Sequence, residues 1–222
     1  MVVGPAIAQV KVPPHPLMKH WMAVLRSAET PPPVFKATMV ELGRLLLVEA
    51  TRDWLSTLEV DANTPTGSSA TVELIDTSEP VRIVPILRAG LALAESAPSV
   101  LPVTAMHHLG FKRDVTSLEP VPYLDALPTT ISETSPVIIM DPIVATGGTS
   151  IAAIERVKQA GASEHNIRLL CANASAQAMQ TLSQKYKKLQ VFSGSIDEEV
   201  NDQGMILPGM GDAGDRAFNS PI

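Results

Sequence analysis

The ten residues from Met140 to Thr149 (MDPIVATGGT) carry the residue types best suited to chemistry in this chain. An apolar run, residues 136–140, leads into them, and a segment with the apolar spacing of a helix begins at Ser150. This pattern predicts a loop between the carboxyl end of a buried strand and the start of a helix. Backbone N–H groups and the positive end of the helix dipole converge at such a junction, so the loop is suited to binding a phosphate group.

The side chains of this loop suit a phosphorylated sugar. Gly147 and Gly148 permit close approach of the backbone to a ligand, and Thr146 and Thr149 add hydroxyl donors. Asp141, at the predicted strand tip, is placed to meet a sugar diol or a metal-bound ligand. The loop lacks the Gly-Lys-Ser/Thr of a Walker A loop and the spacing of a dinucleotide-binding turn. The alternative is an ordinary glycine-rich strand-to-helix turn, since short motifs also occur by chance.

Composition favours one α/β domain with a sizeable core. The 222 residues are 45% hydrophobic and 18% charged, and the net charge is −6 without a cluster of basic residues. We therefore expect no nucleic-acid partner, and no apolar run is long enough to predict a membrane span. Cys171 is the only cysteine, and its apolar surroundings predict a buried side chain rather than a nucleophile. We expect a cytoplasmic protein whose residues 1–12 form a frayed leader.

Hydrophobic periodicity divides the chain into an N-terminal helical segment and a region of alternating strands and helices. The helical segment is predicted at 15–28 and 34–56. Strands are predicted at 70–75, 81–86, 103–106, 137–140, 167–172 and 189–192, and further helices at 89–97, 149–160 and 176–185. This alternation predicts a mostly parallel, doubly wound sheet with helices on both faces. Because no repeat or linker divides the chain, we expect residues 1–222 to form a single domain.

Two arginines are predicted near the same edge of the sheet as the loop. Doubly wound sheets bind ligands beyond the carboxyl ends of their strands. Arg88 follows the strand predicted at 81–86, and Arg113 lies in a long polar segment, residues 106–122, that follows the next strand. Guanidinium groups match the oxygens of a diphosphate. Each arginine alone is best explained as a surface charge, but beside a phosphate loop both become candidate diphosphate ligands.

The C-terminal segment Gly204–Phe218 (GMILPGMGDAGDRAF) contains four glycines and a proline, so it is not expected to form a regular helix. Its backbone groups are available to read the edge of a planar base. Uracil, for example, presents two carbonyl acceptors and an N–H donor at such an edge. The alternative is a glycine-rich turn that only closes the fold.

From His15 onward the chain resembles the uracil phosphoribosyltransferases. An acid followed by Ala-Thr-Gly-Gly-Thr is common to many phosphoribosyltransferases, whereas the sequence Gly-Asp-Ala-Gly-Asp at 211–215 is specific to the uracil enzymes. Further matching blocks occur in the family's order and at similar spacing. They are HPLMKH (15–20), EAT (49–51), VPILRAGL (84–91), LEPVPY (118–123), SID (195–197) and PGMGDAGD (208–215).

The resemblance implies a fold, a reaction and its cofactor. The fold is that of the type I phosphoribosyltransferases, with a flexible loop and a C-terminal hood. The reaction is transfer of the phosphoribosyl group from 5-phospho-α-D-ribose 1-diphosphate to uracil, giving UMP and diphosphate in pyrimidine salvage. Mg²⁺ is the implied cofactor, and because Pro142 follows Asp141 where many relatives have a second acid, we expect substrate and water to supply most of its ligands. A homodimer or higher assembly is implied, and GTP, which activates some relatives, is a candidate activator.

Matched position by position, the resemblance also assigns roles to residues. The candidate catalytic residues are Arg88, Asp141 and Asp212. Phosphoribosyl diphosphate is bound by Arg88, Arg113, Asp141, Pro142, Ile143, Val144, Ala145, Thr146, Gly147, Gly148, Thr149 and Asp212. Uracil is bound, largely through backbone atoms, by Ile206, Gly211, Asp212 and Ala213. No residue stands out as a general base, so positioning and leaving-group stabilisation are expected to supply most of the catalysis.

Three departures from the family pattern leave alternatives open. Met205 stands where the family usually has a tyrosine, Lys112 where a tyrosine is often seen, and Asn173-Ala174-Ser175 where Ala-Pro-Glu is usual. The alternatives are a related transferase for another base and a non-catalytic relative that binds nucleotide or RNA. The acidic net charge argues against RNA. The phosphate loop and both arginines together argue against loss of catalysis.

Overall fold

The computed structural model describes residues 9–113 and 120–220. Its strands are β1 (Val10–Lys11), β2 (Thr57–Asn63), β3 (Ser69–Ile75), β4 (Val81–Leu87), β5 (Thr104–Met106), β6 (Leu109–Arg113), β7 (Pro120–Asp125), β8 (Val137–Met140), β9 (Ile143–Val144), β10 (Ile167–Ser175), β11 (Gln190–Asp197), β12 (Glu199–Val200) and β13 (Ile206–Leu207). Its α-helices are α1 (Pro16–Arg26), α2 (Pro32–Thr51), α3 (Gly90–Ala94), α4 (Ala97–Val100), α5 (Gly148–Gln159), α6 (Ala176–Lys185) and α7 (Ala213–Phe218).

The central sheet has the strand order β1-β11-β10-β8-β4-β6-β7, with β5 beside β4 and β9 beside β10. Among these described strands, every pairing is parallel except that of β6 with β7. The middle strand, β8, is buried along its whole length, as expected for a parallel strand covered on both faces. The predicted mostly parallel α/β sheet is therefore confirmed.

Helices cover both faces of this sheet, as predicted. Val137 and Ile139 of β8 cluster with apolar side chains of α5 and α6, whereas Ile138 and Met140 cluster with those of α1, α2 and α3. This division follows from the pleat, which turns successive side chains to opposite faces. Cys171 is buried on the α5 side, and burial raises the pKa of its thiol to about 12, so the prediction of a packing residue is confirmed.

Three predictions for the N-terminal half are wrong in part. The helix predicted over 34–56 ends at Thr51, and the alternating apolar residues that follow form β2, which pairs antiparallel with β3. The single helix predicted over 89–97 is two short helices, because Pro98 has no N–H group with which to continue α3. The leader predicted to be frayed over 1–12 pairs at Val10–Lys11 with β11, while residues 1–8 lie outside the described residues.

Two predictions for the C-terminal half also need correction. The polar segment 106–122 contains strand residues, since β6 pairs antiparallel with β7, where prolines are tolerated at the sheet edge. Residues 114–119, the centre of the loop predicted to be flexible, lie outside the described part of the chain. The tail at 204–218 contains the short helix α7, which forms because the Asp212 side chain accepts a hydrogen bond from the N–H of Asp215 at 2.9 Å.

No helix within residues 9–113 and 120–220 combines the length and the apolar character needed to cross a membrane.

Candidate active site

The loop between β8 and α5 has the geometry predicted for a phosphate site. Gly147 adopts a φ of +83°, a conformation that favours glycine, and its carbonyl accepts a hydrogen bond from the N–H of Ile151 at 2.8 Å. The N–H groups in the first turn of α5 have no partner within the helix. Gly148, Thr149 and Ser150 of that turn line an adjoining cavity, so these donors lie beside a space in which an anion fits.

The cavity has a volume of about 360 Å³, within the usual range for small-molecule sites. Its walls come from two segments that are distant in sequence. Asp141 and residues 143–150 form one part, residues 203–206 and 210–214 form another, and Ala89 and Asn173 complete the lining. The structure therefore brings the phosphate loop and the glycine-rich tail together at the carboxyl edge of the sheet.

Asp141 is the acid of the phosphate loop and is nearly buried, with 9% of its surface exposed. Ser150 Oγ donates a hydrogen bond to Asp141 Oδ2 at 2.7 Å. Burial raises the pKa of Asp141 to about 6, although the hydrogen bonds from Ser150 and from the N–H of Ile143 oppose this shift. A carboxyl group that titrates so near neutrality in a cavity is typical of functional sites, where charge is held ready for a ligand.

Arg88 lies at the edge of the site, next to Ala89 of the cavity wall. Its Nη1 donates to Ser220 Oγ at 2.6 Å, and its Nη2 donates to Asp215 Oδ1 at 2.7 Å. The C-terminal segment therefore holds the guanidinium fork. This contact could not be predicted from the sequence, because Arg88 and Asp215 are 127 positions apart. Arg113 ends β6, and its role toward a diphosphate stays a prediction.

The residues predicted to bind uracil lie together in the tail. Ile206, Gly211, Asp212 and Ala213 all line the cavity. Gly209, which lies between Ile206 and Gly211 in the chain, has a φ of +61°, and a Cβ there would lie 2.1 Å from the carbonyl oxygen of Ile206. No other residue fits this turn, so the glycine fixes the path of the segment along the cavity.

Two residues near the cavity carry no role in the predictions above. Asn173 lines the cavity, and its amide hydrogen-bonds Asp197 and Ser195. Ser175 Oγ donates to the carbonyl of Ala145 in the phosphate loop at 2.5 Å and accepts from the N–H of Ala178 at 2.9 Å. The strand predicted to end at Ala172 continues through both residues. The signal that points to them is a pair of polar residues at the carboxyl end of a buried strand, where ligands bind in this fold class.

Acidic and histidine side chains do not form a metal site by themselves, since no three of them lie close enough together in the described ranges. Asp141, Thr146 and Thr149 nevertheless present oxygen donors to one cavity. Such donors are the ligands that Mg²⁺ prefers, and Mg²⁺ often keeps several waters and binds through substrate phosphates. This donor set is compatible with an Mg²⁺ ion that a polyphosphate ligand holds in large part.

Known proteins resemble this chain over nearly its whole length. The family model described as uracil phosphoribosyltransferase matches residues 12–220. The chain is 52% identical over 211 residues to the uracil phosphoribosyltransferase of Nicotiana tabacum, covering 95% of this chain and 94% of that protein. It is 45% identical over 213 residues to the uracil phosphoribosyltransferase of Synechococcus elongatus, covering 96% and 98% of the two.

A solved structure shares both the fold and a substantial part of the sequence. The AQ2163 protein from Aquifex aeolicus superposes with a TM-score of 0.86 and 33% identity, covering 96% of this chain and 99% of that one. The family match, the two relatives and this structure all extend across both walls of the cavity. This chain is therefore a member of the uracil phosphoribosyltransferase family.

Proposed function

We propose that this protein transfers the 5-phosphoribosyl group of 5-phospho-α-D-ribose 1-diphosphate to uracil, giving UMP and diphosphate in pyrimidine salvage. The observation that carries the proposal is the cavity shared by the phosphate loop and the glycine-rich tail. A site suited to a sugar phosphate there adjoins a segment suited to a planar base. The relatives named uracil phosphoribosyltransferase, at 45% and 52% identity over most of the chain, support the same reaction.

The phosphate loop binds the sugar phosphate in this proposal. Backbone N–H groups of Gly147, Gly148 and Thr149, together with the hydroxyls of Thr146 and Thr149, donate to the 5-phosphate. Pro142, Ile143, Val144 and Ala145 carry the chain from Asp141 to those donors. Asp141, when ionised, accepts hydrogen bonds from the ribose hydroxyls.

Substitution at the anomeric carbon requires that the charges developing on the sugar and the leaving group be stabilised. The bond from that carbon to the diphosphate oxygen breaks, a bond to uracil N1 forms, and the N1 proton passes to the departing diphosphate or to water. Positive charge develops on the sugar and negative charge on the departing diphosphate, which Arg88 and Arg113 bind in this proposal. Bound Mg²⁺ would add further neutralisation of the diphosphate. In this proposal Asp141 and Asp212, which both line the cavity, face the cationic sugar.

The tail holds the base in this proposal. Backbone groups of Ile206, Gly211, Asp212 and Ala213 pair with the carbonyls and the N3–H of uracil. Asp212 does so from a fixed position, because its side chain caps α7. Backbone readout of this kind requires that the segment be rigid, which the tight turn at Gly209 supports.

A panel of bases tests the proposal. Pyrophosphate release is measured with the purified protein, Mg²⁺, phosphoribosyl diphosphate and, in turn, uracil, cytosine, adenine or hypoxanthine. We expect release with uracil alone. Turnover on another base would favour the related-transferase alternative, and no turnover on any base would favour a non-catalytic relative.

GTP added to the uracil reaction tests whether it activates this protein. We also place the reaction in the cytoplasm, which imaging of a fluorescently tagged chain would check.

Met205 is the residue of the base side that departs most from the family. It lines the cavity and is 38% exposed, so a larger side chain has room there. Met205→Tyr should lower the KM for uracil a few-fold, because an aromatic wall against a base contributes about 0.5–1.5 kcal/mol more than a flexible thioether. The KM for phosphoribosyl diphosphate should stay nearly constant. Saturation curves for both substrates check this, and a change confined to phosphoribosyl diphosphate would contradict the placement of the tail over the base.

We further propose that the protein forms a homodimer or higher assembly through the β2–β3 hairpin. Cross-strand pairs Leu58–Leu74, Val60–Val72 and Ala62–Ala70 put six apolar side chains on one face of this two-stranded sheet. Leu58 and Leu74 are 51% and 56% exposed. An isolated two-stranded hairpin is marginally stable in water, and an apolar face of this kind marks an interface. A second copy of the chain presents the same face and can cover it with two-fold symmetry.

Leu74→Asp tests this assembly. A charge on the covered face should shift the protein to monomers at micromolar concentration, because an unpaired buried charge is strongly unfavourable. Sedimentation velocity measures the change, and Ser69→Asp, on the polar face of the same hairpin, is the matched control. Wild-type sedimentation as a monomer, or unchanged mass in Leu74→Asp, would rule the hairpin out as the interface.

A further inference from the structure

A polar cluster in which two members are buried and two are half-buried lies behind the base side of the cavity. It comprises Arg26 at the end of α1, Asn173 on β10, and Ser195 and Asp197 on β11. Asn173 lies opposite Ser195 in the parallel register of these strands, at the carboxyl edge of the sheet. None of the four is among the residues assigned above to substrate, although Asn173 lines the cavity.

The four side chains form a closed ring of hydrogen bonds. Arg26 grips both carboxylate oxygens of Asp197, at 2.6 and 2.8 Å. Asn173 Nδ2 donates to Asp197 Oδ2 at 3.0 Å, and Asn173 Oδ1 accepts from Ser195 Oγ at 2.9 Å. Arg26 Nη2 closes the ring by donating to Ser195 Oγ at 3.1 Å. Burial alone would raise the pKa of Asp197, but its hydrogen-bond donors outweigh burial and hold that pKa below its usual range. Asp197 therefore stays ionised near neutral pH.

The ring holds the peptide groups of Gly209 from both sides. The N–H of Gly209 donates to Asp197 Oδ2 at 3.1 Å, and its carbonyl accepts from Arg26 Nη1 at 2.8 Å. Gly209 lies in the chain between Ile206 and Met210, which both line the cavity. The position of this turn relative to β10 and β11 is therefore set by the ring.

We propose that Arg26, Asn173, Ser195 and Asp197 are positioning residues for the base. They hold residues 204–211 at the distance from the sheet at which backbone atoms pair with uracil, an inference that rests on the proposed function. A buried ion pair contributes little net stability compared with apolar packing, but its directional bonds fix geometry. Backbone readout depends on such geometry, because a small displacement of the segment misaligns several hydrogen bonds at once.

Ser175 provides a contrast on the same strand. It is buried like Asn173 and lies two residues further along β10, but its hydroxyl contacts Ala145 of the phosphate loop. Asn173 instead contacts Asp197, which binds Gly209 of the tail. One strand end thus supports the two walls of the cavity through two different side chains. Asn173→Ala and Ser175→Ala accordingly form a matched pair that removes one buried polar side chain from each support.

Steady-state kinetics with both substrates separate the two supports. Asn173→Ala should raise the KM for uracil about 5- to 30-fold, the range expected for loss of one or two buried hydrogen bonds, with the KM for phosphoribosyl diphosphate changed less than twofold. Ser175→Ala should show the opposite pattern. Arg26→Lys keeps the charge but loses the two-pronged contact, so it should reproduce the Asn173→Ala pattern. Equal changes in both KM values, or a lowered Tm with an unchanged KM for uracil, would overturn the proposal.

Hydrogen exchange tests the ring independently of activity. We expect faster backbone exchange in peptides from residues 204–212 of Asn173→Ala than of wild type, with unchanged exchange in α5. Equal exchange in the two proteins would overturn the positioning role even if the kinetics changed. Wild-type protein that never turns over uracil would instead overturn the proposed function, and the exchange comparison would still decide whether the ring holds the tail. If Asn173→Ala does not fold, Arg26→Lys carries both measurements.

Discussion

Asp141→Asn is expected to lower kcat by about two to three orders of magnitude while the protein stays folded. The amide has the size of the carboxyl group and can still pair with Ser150, so the strand tip and the first turn of α5 should be preserved. The amide carries no negative charge, however. It cannot stabilise positive charge on the sugar. Only one of its two polar atoms is a hydrogen-bond acceptor, so it cannot accept from both ribose hydroxyls as a carboxylate does.

The same substitution should leave stability equal or higher at neutral pH. The pKa of Asp141 is raised in the folded protein to about 6, so the folded state holds the proton more tightly than the unfolded state. The stability from this proton is present in full below the ordinary carboxyl pKa and is lost as the pH rises through about 6. Ionised Asp141 therefore costs the wild type on the order of 1–3 kcal/mol at pH 7.5, and the neutral amide avoids this cost.

Activity should depend on pH in the opposite sense to stability. Below about pH 6 the wild-type carboxyl group of the free enzyme is protonated, so kcat/KM for phosphoribosyl diphosphate should fall as the pH decreases. Turnover and melting temperature measured from pH 5 to 8 check both expectations. Asp76→Asn, at an exposed turn before β4, is the control and should change neither. Wild-type turnover in Asp141→Asn would place Asp141 outside the chemistry.

Arg88→Lys is expected to reduce kcat/KM for phosphoribosyl diphosphate by about one to three orders of magnitude. In the structure Arg88 uses two nitrogens at once, toward Asp215 and Ser220, and we propose that the same fork grips the diphosphate. Lysine keeps the charge but presents a single ammonium group, which cannot make two parallel contacts to phosphate oxygens. The melting temperature should change little, because the ion pair with Asp215 is partly exposed and lysine keeps its charge.

Arg44→Lys provides the control for this substitution. Arg44 contacts Glu41 and Ser99, and none of the three lines the cavity, so its replacement should leave kinetics unchanged. Saturation curves for phosphoribosyl diphosphate on the two variants make the comparison. Wild-type kinetics in Arg88→Lys would mean that Arg88 serves only to anchor the C-terminal segment.

The elements that the sequence predicted well are those that bury one continuous apolar pattern. Residues 137–140 and 176–185 match β8 and α6 as predicted. The elements missed are those whose stability comes from distant partners. β10 extends beyond Ala172 because Asn173 finds Ser195 and Asp197, more than 20 residues away in sequence. The alternation of Leu58, Val60 and Ala62 is a strand signal at β2, where no element was predicted.

The candidate site likewise has parts that the sequence predicted and parts that it did not. The phosphate loop and the tail could be predicted because each is a continuous segment whose glycines and acids indicate local geometry. Their meeting at one cavity follows from the parallel order of the strands, which the alternation of elements predicted. The contacts of Arg88 with Asp215 and of Arg26 with Asp197 depend on the exact path of the tail. Sequence spacing carries no information about that path.

The most direct test of the central claim is the identity of the product. Purified protein is mixed with Mg²⁺, phosphoribosyl diphosphate and ¹⁵N-labelled uracil, and the nucleotide formed is identified by mass spectrometry. We predict labelled UMP and diphosphate in equal amounts, with Asp141→Asn, purified in the same way, forming far less. This control excludes a contaminating enzyme. Diphosphate release without labelled UMP, or equal UMP formation by the wild type and Asp141→Asn, would contradict the assignment of uracil and the phosphate loop to one active site.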